Sequence, residues 1–267
     1  FSPMSTSCGM PATSAESKRP MRSRLSSRCG AFTAISTGER CVSITACMQA
    51  GELAFTPRDG EMVGIVSPVY FWGLPSIVNA FLERLILGRP EYLWFAATYG
   101  TTTGQAGRFV SEHLRAKGLR LDARFSVRMP DSWTPMFDLS DKAKVQRTNL
   151  AAEPQIDALI AHIRRRDRGD FMRAKVPLPA VRVYYPHYER ARRTGYFAVT
   201  DACVGCGLCA RNCPVSAIEI RDGRPVWVKE QCVMCLACLH RCPKFAIRHG
   251  KKTAGHGQYV HPEFAGK

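Results

Sequence analysis

Eight cysteines stand in two runs of one form, CVGCGLCARNCP from Cys203 to Pro214 and CVMCLACLHRCP from Cys232 to Pro243. Each reads C-x2-C-x2-C-x3-C-P, and the second begins 29 positions after the first. The match extends past the sulfurs: Val204 corresponds to Val233, Ala217 to Ala246 and Ile218 to Ile247. This is an internal duplication. Two intervening residues let successive thiolates of a tightly wound loop reach neighbouring corners of a four-iron, four-sulfide cubane, and the fourth ligand comes from outside that loop. Where two such runs occur, the fourth Cys of each serves the other cluster. Cys203, Cys206, Cys209 and Cys242 are therefore assigned to one [4Fe–4S] cluster, and Cys232, Cys235, Cys238 and Cys213 to a second.

Structural zinc also uses C-x2-C pairs, but two pairs close one tetrahedral site, and two triplets with trailing C-P steps suit it poorly. Disulfides are a weaker reading still, because no charged and apolar leader precedes cysteines this closely spaced. The remaining Cys8, Cys29, Cys41 and Cys47 read as inert or buried thiols. Val204, Leu208, Ile218, Val233, Met234, Leu236 and Ile247 are expected to form an apolar jacket. Arg211, His240, Arg241 and Lys244 are candidate cations near the clusters, where positive charge would raise a reduction potential.

The chain that must position these loops has 267 residues, 45% of them hydrophobic, enough for two domains. No apolar run approaches a membrane span. Formal charge is +16. The excess is densest between Arg164 and Arg193 and reads first as a solvated linker, then as attraction to an acidic redox partner, and last as nucleic-acid binding, since no nucleic-acid motif accompanies it.

Residues 1–37 are rich in Ser and Arg and show no sustained period, so no structure is assigned to them. Strands are expected at Met62 to Val69, Tyr92 to Thr98 and Ala123 to Met129. Helices are expected at Ser76 to Leu87, at Gly107 to Lys117, and as a pair broken at Pro154 between about Ser140 and Arg166. Alternating strands and helices argue for an open parallel sheet covered on both faces. The expected division is an atypical segment 1–37, an α/β domain 38–167, a basic Pro-containing linker 168–193, a cluster domain 194–250 and a loose tail 251–267. Short helical turns are expected after each C-P step.

The cysteine runs resemble those of bacterial-type dicluster ferredoxins. VGIVSPVYFWGLPSIVNAFLERLIL (Val63 to Leu87), TYGTTTGQA (Thr98 to Ala106), SVRMPDSWTPMFD and the closing HGQY resemble combined flavodoxin-like and two-cluster ferredoxin proteins of bacteria and archaea. The resemblance implies a flavodoxin-like open sheet, incomplete at its N-terminus, followed by a small pseudo-twofold ferredoxin domain of α+β class. It also implies an FMN bound at the strand ends by Tyr70, Trp72, Gly73, Tyr99 and Gly100. Against that implication, Tyr70, Phe71 and Trp72 could equally pack a strand-to-helix turn. SPMSTSCGMPATSAES also does not match the Ser/Thr/Gly-rich loop that cradles the FMN phosphate in related domains, and the stretch up to Thr37 reads as foreign to the family.

The resulting expectation is a cytoplasmic electron carrier or redox module with no substrate site of its own. Two alternatives stand beside it: a flavin- and cluster-dependent reductase of a small molecule, and a basic interaction protein with structural clusters. Oligomeric state is not legible.

Overall fold

The computed structural model describes residues 34–37 and 40–262. The readings made for residues 1–33, including the missing phosphate loop and the thiols Cys8 and Cys29, lie outside the described residues.

Four strands run parallel in chain order: β4 (Met62–Pro68), β6 (Tyr92–Tyr99), β7 (Ala123–Arg128) and β8 (Gly169–Asp170). They continue a sheet begun by β1 (Ala34–Thr37) and β2 (Arg40–Ser43), which are antiparallel to each other, with β1 antiparallel to β4 as well. The fully parallel sheet expected from sequence is thus corrected at one edge. A connection of two residues can only turn a hairpin, whereas a parallel neighbour needs a crossover of a dozen or more. Residues 34–37, left without structure above, supply one arm of that hairpin. A separate parallel pair joins β3 (Ala54–Phe55) to β5 (Ile86–Leu87), so the expected helix to Leu87 ends earlier, as Ser76–Arg84.

Strand β6 shows why the sheet is buried on both faces. Leu93, Phe95 and Ala97 point into a core shared with Val78, Phe81 and Leu82 of helix Ser76–Arg84 and with Val110 and Leu114 of helix Ala106–Arg115. Tyr92, Trp94 and Ala96 alternate to the other face, against Leu159, Ile160 and Ile163. Those last residues belong to helix Lys142–Arg165, which is one helix of 24 residues rather than a broken pair. Pro154 withdraws one N–H from its ladder. The Gln155 side-chain amide donates to the Ala151 carbonyl at 2.7 Å, one turn back, and the helix continues.

The stretch read as a linker is folded. It holds β8 and the helices Leu178–Tyr184 and His187–Ala191, with Val181 and Tyr188 buried. Beyond it, β9 (Phe197–Val199) pairs with β12 (Ile247–His249), and β10 (Ile218–Arg221) forms a hairpin with β11 (Arg224–Trp227). The helical turns fall inside the cysteine runs, at Leu208–Arg211 and Ala237–His240, not after the C-P steps. The tail is not loose up to Tyr259. Gln258 donates from its side chain to the carbonyls of Leu239 and Cys242, and the Tyr259 hydroxyl donates to Asn149. Cys41, expected as a thiol, is disulfide-bonded, while Cys47 is a buried free thiol. Among the described residues no helix is long and apolar enough to cross a membrane.

Candidate iron–sulfur centres and an adjoining cavity

Each cysteine run is wound by residues in the left-handed region, and the duplication reproduces them pairwise. Gly205 (φ 69°) corresponds to Met234 (58°), Gly207 (72°) to Leu236 (55°), and Ser216 (48°) to Phe245 (44°). Glycine takes this conformation freely, whereas Met234 and Leu236 hold it at a cost of about 1–2 kcal/mol each. Both are buried in the core of the C-terminal unit, which offsets that cost. The turn at Ser216 aims the Ala217 amide at the Cys213 sulfur, 3.2 Å away, and the turn at Phe245 aims the Ala246 amide at Cys242 over the same distance. The Met234 amide donates to Cys232 at 3.3 Å. Such N–H···S bonds favour the more negatively charged sulfur and so raise a cluster's potential.

The sulfurs gather in two sets. Cys203, Cys206, Cys209 and Cys242 line one small cavity together with Val204, Leu208, Ile220 and Pro225. Cys213 stands among the other three. Burial pushes the Cys235 thiol up to about 12, and the charges of Cys232 and Cys213 add to the shift. Burial raises Cys238 as well, reinforced by Cys235, Cys232 and Cys213. Burial likewise raises Cys232, with Cys213 contributing. Left alone, these groups would be protonated. Strongly electropositive metal would be needed to hold them as thiolates, so the donor set fits an iron–sulfur centre.

Among the described residues no three His, Cys, Asp or Glu side chains are grouped to hold a single metal ion.

Beside the second set lies a cavity of about 450 Å³. It is lined by Met234, Cys235, His240 and Arg241 and by the carboxyl end of β6 with the following loop, Tyr99 to Thr102. Tyr70, Trp72, Asp131 and Trp133 close its sides. Tyr70 is half-buried, and desolvation raises its phenol, as do the nearby charges of Cys235, Tyr188 and Cys232. Burial also raises the Asp131 carboxyl against the opposing pull of its bonds from Thr101 and Trp133. The indole nitrogen of Trp133 is buried with no hydrogen-bond partner among the described residues.

Of the five residues expected at a flavin, four (Tyr70, Trp72, Tyr99 and Gly100) line this cavity and Gly73 does not. Gly73 closes a two-way backbone pair with Tyr70 (3.0 and 2.8 Å), and a side chain there would strike the Tyr185 ring. Gly100 backs onto Asp131 in the same way. Trp72 leans on Tyr184, their centroids 4.2 Å apart, and Phe71 packs against Trp133, so these aromatics also serve the turn itself. The sequence reading assigned no role to Asp131, Trp133 or Tyr184. The P-D-S-W turn after β7 was a usable signal for the first two.

Two further expectations are corrected. His240 is neutral at pH 7, because burial lowers it to about 4. Its Nε2 lies 2.8 Å from the Ser132 carbonyl, and its Nδ1 accepts from the Tyr259 amide. Val204 is 61% exposed, outside the apolar jacket that Ile218, Met234, Leu236 and Ile247 do form.

Compared with known proteins, the chain matches no curated protein and no solved structure. Residues 196–243 match the family model described as a 4Fe-4S dicluster domain, so the chain carries a ferredoxin-type domain of the iron–sulfur electron-transfer class at this place.

Proposed function

We propose that the chain is an electron-transfer protein holding two [4Fe–4S] clusters, the second of them beside a flavin site. The observation that carries this reading is the crossing of the fourth ligands. Cys242 lines the cavity of Cys203, Cys206 and Cys209, while Cys213 is an electrostatic neighbour of Cys232, Cys235 and Cys238. Each cluster supplies one-electron chemistry with little change of geometry. The residues set its potential, through amide bonds to sulfur and through burial by Ile218, Met234 and Ile247.

For the flavin, the size of the cavity is within the range of cofactor pockets. The unpartnered Trp133 N–H suits an acceptor on a ring edge, and Tyr99, Gly100 and Thr101 stand at the carboxyl end of a parallel strand, where such ligands bind. FMN would supply an exchange between paired and single electrons. The Cys235 side of the cavity is where the single electrons would cross.

The test is purification without oxygen, with iron, sulfide and flavin measured on one sample. About eight irons and eight sulfides per chain support the two-cluster reading, and about one FMN supports the cavity assignment. Colourless, EPR-silent protein loaded with zinc would refute both.

A further inference from the structure

The duplication contains its own comparison. Val233 is 5% exposed and its counterpart Val204 is 61%. Cys238 is buried and Cys209 half-buried; Cys235 is half-buried and Cys206 exposed. His240 is buried where Arg211 is exposed. Among the described residues one loop appears twice, once covered and once largely bare, with the Gln49 side chain of the sheet unit reaching the first run only at the Pro214 carbonyl. Over the second run the cover comes from the sheet unit: Tyr70, Phe71 and Trp133 pack on it, and the Ser132 carbonyl meets His240. The cavity of the first sulfur set is lined by residues 203–247 alone.

Resting on the electron-transfer reading above, we infer that the bare face around Val204, Cys206, Arg211 and Ile220 docks a separate one-electron carrier protein with an acidic rim. Val204 and Ile220 (37% exposed) form its apolar centre. Arg211 brackets that centre while its Nη1 donates to the Cys206 carbonyl at 2.9 Å, and Lys244 is exposed beside the same sulfur cavity. The charge of the chain, +16, favours a partner of opposite sign.

The route then has a direction. The partner's centre gives up one electron at the Cys206 side, the chain takes it, and Cys235 faces the cavity at the inner end. No bond is made or broken and no proton is required.

The test uses the full chain purified without oxygen and a small acidic [2Fe–2S] ferredoxin as the probe. Complex formation is followed by calorimetry and electron exchange by stopped flow. Val204→Glu and Arg211→Glu should each weaken the complex and slow exchange about tenfold or more, with iron and sulfide unchanged. Arg58→Glu, a surface charge reversal elsewhere, should change both less than about twofold. Equal losses in all three variants, or none in the first two, overturn the docking face. Sedimentation showing that Val204→Glu breaks a dimer instead would assign the face to a second copy and overturn the partner. Wild-type protein lacking iron and sulfide removes the electron-transfer reading itself, and the docking face with it.

Discussion

The hydroxyl of Tyr188 joins the two units of the chain: it donates to the carbonyl of Val233 at 2.7 Å and accepts from the amide of Ser76 at 3.3 Å. Val233 sits between the ligands Cys232 and Cys235, and Ser76 opens the helix that follows the Tyr70–Gly73 turn. Tyr188 is 2% exposed, and burial holds its phenol protonated. Tyr188→Phe keeps the ring but leaves a buried carbonyl and a helix-start amide without this partner. The expected cost is about 1–3 kcal/mol, read as a lower urea midpoint. The second cluster should also bleach faster in air than the first, since its loop loses an anchor.

The proposed crossing of the fourth ligands predicts a selective loss. Cys213→Ala should remove the centre held by Cys232, Cys235 and Cys238 and leave the other, lowering iron from about eight to about four per chain. Cys242→Ala should do the reverse. EPR of the reduced variants distinguishes the two, and loss of the same signal in both would reassign the ligands.

Asp131 gives a pH dependence. Its folded-state carboxyl is raised above the ordinary 3.8, chiefly by burial. The native state therefore binds more protons than the unfolded chain between 3.8 and the raised value, and stability falls as pH rises through that window. Asp131→Asn keeps the Oδ1 acceptor for the Trp133 amide, replaces the other oxygen by an amide that can donate to the Thr101 hydroxyl, and removes the ionisation. Its melting temperature should gain on the wild type as pH climbs from about 4. A gap that stays constant across that range would show that burial of the charge is not what matters.

Helix Lys142–Arg165 makes a prediction through Pro154. An exposed alanine there restores the missing N–H to the ladder, so Pro154→Ala should stabilise the fold by about 1–3 kcal/mol. Thermal denaturation decides it. A loss would mean that the helix needs the proline's bend to lay Leu159 and Ile163 on the sheet.

The cysteine sets could be read from sequence because ligand spacing is a local property, and a duplicated loop repeats its own backbone turns. Strands β6 and β7 were legible because burial on one or two faces writes itself into the order of side chains. Pro154 misled because the Leu150 carbonyl it leaves without a helical donor belongs to an exposed residue, and burial of Leu159, Ile160 and Ile163 on the sheet carries the helix through. Tyr184, Tyr185 and Tyr188 were hidden in a basic stretch. Their work is done by contacts with Trp72, Leu74 and Val233, between 45 and 112 residues away in the chain, and no period betrays contacts of that kind. Gly73 also has to lack a side chain because of the Tyr185 ring, a packing demand that only three dimensions show.

The two bonds from the Gln258 side chain to the carbonyls of Leu239 and Cys242 fasten the second cysteine loop from a segment outside the duplication. One amide group thus acts as a clasp on a loop whose own backbone turns are strained. Gln258→Ala removes the donor that both carbonyls share, and the loop should then surrender bound iron to a chelator faster than in the wild type.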